Sequence, residues 1–170
     1  MNVETAGHDG TEVRPRVELS FFNLDAADDA QVLGALAGQA EAAGWVTPRF
    51  NEALVERERS YPTGLPTPTP VAIPHADVEH VLKSGLGIAL LKNPVRFGEM
   101  AGIDAYVDVR VVVLILVTDP DQQVELLTRL VDLFQQSDWF AKIERASGVA
   151  DLVEIFARML GSSPGWAAKA

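Results

Sequence analysis

Seven consecutive apolar residues, Val111 to Val117, follow Arg110 in this chain. The run is far shorter than the roughly 20 residues that span a bilayer. It also lacks the polar alternation of a strand with one wet face. The segment Asp108 to Val117 is therefore predicted to be a central β-strand covered on both faces. Such a strand needs helices above and below it.

Candidates for those helices flank the strand. Asp25 can cap a helix running to about Gly44, with Val32, Leu33, Leu36 and Ala40 on one face. Thr47 can cap a second, with Pro48 at its first position and Phe50, Ala53 and Leu54 inward, ending near Ser60. Asp119-Pro120 opens a third, with Val124, Leu127, Leu130, Val131 and Phe134 on one face. A short helix is predicted over Asp138 to Arg145 and a last one over Val149 to Leu160, stopped by Gly161. Short strands are predicted at Val17 to Phe22, Val71 to Ile73, Ser84 to Leu91 and Val95 to Phe97. Tyr61 to Pro70 carries four prolines and is predicted to be an irregular loop. The resulting fold class is α/β: a single-domain sandwich with a central mixed β-sheet flanked by helices on both faces. The domain is expected over residues 17–161, between a polar N-terminal tail of residues 1–16 and a C-terminal tail of residues 162–170. His8 falls in the first tail and is read as a solvated bystander.

Composition narrows the function. The net charge of -10 disfavours nucleic-acid phosphates and anionic lipid as partners. With no cysteine, neither disulfides nor thiolate metal sites can form. The first sixteen residues have no apolar signal-peptide region, so a cytoplasmic protein without direct membrane insertion is expected.

The chemistry concentrates in two stretches, Ala53 to Leu65 and Val71 to Asp77. His75 follows a strand and a proline, which fix its backbone direction. Imidazole is a good nucleophile near neutral pH. Arg57 offers a planar fork for phosphoryl oxygens, Thr63 a hydroxyl, and Gly64 a close approach to backbone N–H groups. A backbone carbonyl or Asp77 can orient the other ring nitrogen of His75. Each residue also has a plain structural reading. His75 can be a core histidine and Arg57 part of a solvated helix face with Glu56, Glu58 and Arg59. Thr63 and Gly64 suit any turn, Asp77 can cap the next turn of chain, and His80 reads as a surface residue.

The segments Arg57-Glu58, Pro62-Thr63-Gly64 and Ala72-Ile73-Pro74-His75 resemble those of the fructose/mannitol-type enzyme IIA domains of the bacterial phosphoenolpyruvate-dependent sugar phosphotransferase system. The resemblance extends from about Val17 to Leu160. Members of the mannitol and nitrogen-regulatory branches carry a second histidine in a His-Leu-x-x-Leu helix. This chain reads Gln123-Val-Glu-Leu-Leu127 there, which is more similar to the galactitol branch. The resemblance implies a phosphocarrier that accepts a phosphoryl group from phospho-HPr on His75. It would pass that group to enzyme IIB, and through it to membrane enzyme IIC, with no cofactor or metal. It further implies charge stabilisation by Arg57, with Thr63 and Gln123 at the site. Because two proteins must reach the same nitrogen, His75 is expected to be exposed, and Leu65, Val71 and Ile73 are candidates for an apolar docking patch as well as for core.

Three other readings stand beside it. One is a regulatory phosphoprotein of the same family, and one a binding module without chemistry. The third is a metal site built from His75, Asp77 and His80, although residues i and i+5 diverge on a helix. Gly85-Leu-Gly87 leads into a strand and so is no dinucleotide fingerprint, and no P-loop sequence occurs.

Overall fold

The computed structural model describes residues 13–161. In chain order they form β1 (Phe21–Leu24), α1 (Asp29–Ala42), α2 (Phe50–Ser60), β2 (Gly64–Leu65), β3 (Val71–Ala72), β4 (Gly85–Gly98), β5 (Tyr106–Leu116), α3 (Pro120–Phe134), α4 (Trp139–Ile143) and α5 (Val149–Gly161). The sheet order is β1-β4-β5-β3-β2. β1 runs parallel to β4 and β3 parallel to β5, while β4–β5 and β2–β3 are antiparallel. The sheet is mixed, with the apolar strand β5 at its centre.

The alternation of side chains along β5 divides the core. Val111, Val113, Ile115 and Val117 join Leu130, Phe134 and Phe156 in one layer. Val112, Leu114 and Leu116 join Leu36, Phe50 and Leu54 in the other. Helices α3 to α5 cover the first layer, and α1 and α2 the second. The seven residues from Val111 to Val117 are 0 or 1% exposed. Burying each contributes about 1.5–3 kcal/mol relative to leaving it in water. A polar face would have nowhere to point, which is why the sequence has no alternation here.

Several boundaries differ from expectation for identifiable reasons. Val17–Leu19 is a 3-10 turn, and the strand begins only at Phe21. The hydroxyl of Ser20 donates to the Arg16 carbonyl at 2.6 Å and accepts from the Ile88 N–H at 3.0 Å, so the chain is hooked to β4 by a side chain. The cap of α1 is Asp28, not Asp25. Asp28 accepts from the Gln31 N–H at 2.9 Å, while the Gln31 side chain accepts from the Ala27 N–H at 2.8 Å. Gly44 follows that helix at φ +82°, the left-handed conformation that suits a glycine. Thr47 provides no side-chain cap for α2. Its carbonyl accepts from the Phe50 N–H at 3.0 Å, and its hydroxyl is buried without a partner. The proline-rich segment contains β2, whose two residues, Gly64 and Leu65, both have N–H groups to offer because the prolines lie on either side. The strands expected at Ser84 to Leu91 and Val95 to Phe97 are one strand with a register shift between Leu90 and Val95. On α3 the buried residues are Leu126, Leu130, Leu133 and Phe134, whereas Val124 is 66% exposed. At 100° per residue Val124 lies far round the helix from Leu126.

The packed chain also begins before Val17. Val13 is buried, Pro15 bridges to Leu86, and the Arg16 N–H donates to the Leu86 carbonyl at 2.9 Å. Residues 1–12, with His8, and residues 162–170 lie outside the described residues. Among the described residues no helix is long and apolar enough to cross a membrane.

Truncating Leu114 to alanine is expected to cost about 2–5 kcal/mol, since it removes buried methyl groups between two covered faces. Val124→Ala is expected to stay within about 0.5 kcal/mol. Urea unfolding of both variants checks this, and a Leu114→Ala loss below that of Val124→Ala would contradict the two-layer core.

Candidate functional site

His75 stands where β3 runs on past its two paired residues toward the end of β5. The Ile115 N–H donates to the Pro74 carbonyl at 3.1 Å, and His75 itself bridges to Ile115. The histidine therefore takes its position from the strand at the centre of the core. Its Nδ1 lies 2.9 Å from the carbonyl oxygen of Ile73. A carbonyl only accepts, so Nδ1 carries the proton. Of the two acceptors expected for this nitrogen, the backbone carbonyl fills the role and Asp77 does not.

Burial pushes the pKa of His75 below its ordinary value of 6.5, and the nearby Arg57 guanidinium lowers it further. The Ile73 hydrogen bond and Asp77 act in the opposite direction but do not reverse it. The ring is consequently neutral at pH 7, with its proton on Nδ1 and a bare lone pair on Nε2. Nε2 makes no hydrogen bond to a described residue and is not sealed from solvent. The residue as a whole is only 8% exposed. This corrects the expectation of an exposed histidine: the ring is embedded, with little of it reaching solvent.

Arg57 occupies the last turn of α2. Its Nη1 donates to Asp77 Oδ1 at 2.9 Å, and its guanidinium lies 5.6 Å from the Tyr61 ring centroid. The pair ties α2 to the loop that follows His75. With the arginine 37% and the aspartate 64% exposed, it adds at most about 1 kcal/mol to stability. The arrangement holds a cation beside the histidine with part of its side chain still in water.

Thr63 is placed differently from expectation. It is 3% exposed, and its N–H and its hydroxyl both donate to the Glu58 carboxylate, each at 2.8 Å. Its hydroxyl proton is engaged inside the protein. Gly64 is likewise held by the protein's own backbone. A Cβ there would stand 2.5 Å from the Gly98 carbonyl oxygen and 2.6 Å from a Val107 methyl carbon. The position needs glycine for close packing, not for approach to a ligand. Leu65, Val71 and Ile73, at 6%, 0% and 1% exposure, belong to the core and form no docking patch. Gln123 sits in the first turn of α3, its N–H donating to the Asp119 carbonyl at 3.1 Å. That helix begins three residues after Val117, at the end of β5 that also positions His75. His80 is 3.9 Å from Glu79, and among the described residues no cluster of three or more histidines or carboxylates could hold a metal. A cleft of about 400 Å³ between α3, α4 and α5 includes none of these residues.

Sequence reasoning assigns no role to Glu58, yet the fold gives it one. It is 6% exposed, and burial raises its carboxyl pKa above 4.5, with the two Thr63 hydrogen bonds acting against that rise. A signal for its burial is present, because Phe50, Leu54 and Glu58 recur every four residues and so share the inward face of α2.

An oriented histidine at a strand end, an arginine beside it and the Pro-Thr-Gly turn are the features on which comparison with other proteins can bear. Residues 16–159 match the family described as the phosphoenolpyruvate-dependent sugar phosphotransferase system, EIIA 2. The chain belongs to this family. As an EIIA it is a phosphotransferase component that transfers phosphoryl groups. The galactitol-specific EIIA component of Escherichia coli (strain K12) is 33% identical over 112 residues, covering 65% of this chain and 74% of that one. The complex of mannitol enzyme IIA with phosphorylated enzyme IIB from Escherichia coli contains a chain that is 25% identical, with a TM-score of 0.67, covering 83% of this chain and 95% of that chain. A Streptococcus mutans structure described as a PTS IIA (PtxA) superimposes with a TM-score of 0.71 at 20% identity, covering 88% of this chain and 93% of its own, which supports the fold.

Titration of His75 by NMR is expected to give a midpoint below 6.5. Arg57→Ala should move it upward but leave it below 6.5, since burial is the larger cause. The folded state binds this proton more weakly than the unfolded chain. The contribution to stability is therefore complete above about 6.5 and declines as pH falls toward the folded midpoint. A midpoint at or above 6.5 in the wild type would contradict the neutral embedded ring.

Proposed function

We propose that the chain is the EIIA phosphocarrier of a galactitol-like sugar phosphotransferase system, and that His75 carries the phosphoryl group on Nε2. The carrying observation is the hydrogen bond from Nδ1 to the Ile73 carbonyl, which leaves Nε2 with an unprotonated lone pair. In this reading Nε2 attacks the phosphorus of phospho-HPr in line. The N–P bond of the donor breaks, and the donor histidine retains the bonding electrons and takes up a proton. The new N–P bond forms on Nε2 while Nδ1 keeps its hydrogen bond to Ile73. The step reverses in form when enzyme IIB takes the group on behalf of a membrane enzyme IIC.

Such transfer asks for positioning and charge compensation more than for covalent chemistry. Arg57 supplies a forked cation for the phosphoryl oxygens, and Asp77 holds it in place until they arrive. Gln123 can donate an amide N–H from the first turn of α3, where the helix N-terminus also favours an anion. The similarity to the galactitol-specific component and the glutamine at this position support the galactitol-like branch. The partner enzyme IIB is supported by the mannitol IIA–IIB complex, in which a chain of this fold is assembled with its phosphorylated IIB. A cytoplasmic location fits a carrier that works between soluble partners.

The test is an intact-mass assay with phosphoenolpyruvate, enzyme I and HPr. Wild type should gain one acid-labile phosphoryl group only when HPr is present, and His75→Ala none. Arg57→Ala should remain folded and accept the group about 100- to 1000-fold more slowly, the range for one lost transition-state contact. Gln123→His should remain active. A wild-type chain left unmodified by matched HPr would sink the carrier reading.

A further inference from the structure

We infer that Glu58 is a positioning residue: acting through Thr63 and Ile73, it fixes which nitrogen of His75 is nucleophilic. The inference rests on His75 being the phosphoryl carrier. Its basis is an unbroken path of hydrogen bonds. Glu58 Oε2 accepts from the Thr63 N–H and Oε1 from the Thr63 hydroxyl, both at 2.8 Å. The Thr63 carbonyl accepts from the Ile73 N–H at 3.3 Å, and the Ile73 carbonyl accepts from His75 Nδ1 at 2.9 Å. All four residues are buried.

Nothing in the packing alone calls for a carboxylate here. Position 58 continues the stripe of Phe50 and Leu54, where a leucine would bury more apolar surface without desolvating a charge. What a carboxylate adds is two acceptors that grip both donors of one residue, which fixes the backbone and the side chain of Thr63 together. The turn needs such a grip. The ribbon it belongs to is two residues long, pairing only Gly64 with Ala72 and Leu65 with Val71, and a pairing that short is not stable by itself. The carbonyl that orients His75 lies just beyond this ribbon. Pro74, held by the Ile115 N–H, anchors the histidine from the β5 side, and the Glu58–Thr63 clamp anchors it from the α2 side. Loss of the second anchor frees the Ile73 carbonyl to move and lets the imidazole place its proton on Nε2. The nucleophilic lone pair would then be on the inward nitrogen.

The experiment reads the tautomer directly, from long-range proton–nitrogen spectra of the full chain labelled at histidine, without any phosphoryl donor. Wild type is expected to show His75 protonated at Nδ1 alone. Glu58→Gln and Thr63→Val should each populate the Nε2–H form, and Thr63→Ser should keep the wild-type pattern. In the HPr-dependent assay the first two variants should accept the phosphoryl group at least about tenfold more slowly, as expected for a misplaced reacting group. Cooperative thermal unfolding shows that the variants are folded. If Glu58→Gln does not fold, Thr63→Val, which keeps size and shape, decides the question. Folded variants with the wild-type tautomer and wild-type transfer rates overturn the inference. A wild-type chain that takes no phosphoryl group overturns the carrier reading instead, and the tautomer spectra distinguish the two failures.

Discussion

The hydrogen bond from His75 Nδ1 to the Ile73 carbonyl is the contact that orients the imidazole, and the arrangement of the site depends on it. It converts a ring with two similar nitrogens into one with a defined inside and a defined outside. A carbonyl two residues upstream can do this only if the backbone between them is held. Here Pro74 restricts φ, and its carbonyl is bonded to the Ile115 N–H. The precision at His75 therefore derives from β5, whose covered faces leave it no freedom to shift. The apolar run from Val111 to Val117 and the oriented imidazole are two ends of one mechanical arrangement.

Burial of that ring has opposing effects. It lowers the pKa and so keeps the lone pair available at neutral pH, which favours attack. It also restricts approach to the ring. Arg57 is paired with Asp77 and lies over Tyr61, so that it is oriented while still partly exposed. A fully buried arginine would cost several kcal/mol to keep charged and would pull harder on the histidine. An unpaired one would lose more rotamer freedom on meeting a phosphoryl group. The exposed ion pair is an intermediate solution, weak for stability and suited to a partner that arrives and leaves.

Much of the fold is legible in the sequence because β5, α1, α3 and α5 follow strong patterns. β5 shows an unbroken apolar run, and α1 buries the Val32, Leu33, Leu36 and Ala40 stripe implied by its spacing. The misses have local causes. Ser20 replaces a strand bond with a side-chain bond, and Asp28 competes with Asp25 for the same cap. A two-residue strand such as β2 is below any periodicity that a sequence can display. At the site, His75, Arg57 and Asp77 come together as their order in the chain suggests. Thr63 and Gly64 resemble ligand contacts because the residue types suit both a turn and a phosphoryl cradle, and type alone cannot separate the two. Glu58 is hidden among charged neighbours, although its helical phase matches Phe50 and Leu54.

The same ambiguity explains the apolar surface. Leu65, Val71 and Ile73 precede the histidine and look like a rim, yet a sheet five strands wide has no other way to seal the layer beneath α3 and α5. Exposed apolar groups attached near this turn include Tyr61, at 68%, and, on the β4–β5 connection, Met100 at 38% and Ile103 at 92%. Tyr61 lies against the Arg57 guanidinium, and the Met100 N–H donates to the Gly64 carbonyl at 2.7 Å. The connection is thereby fastened to the turn that Glu58 grips through Thr63. Core residues fix the position of the histidine, and exposed apolar residues are attached to the same turn from outside. A change in that turn would be felt both by the orientation of the imidazole and by the surface beside Arg57.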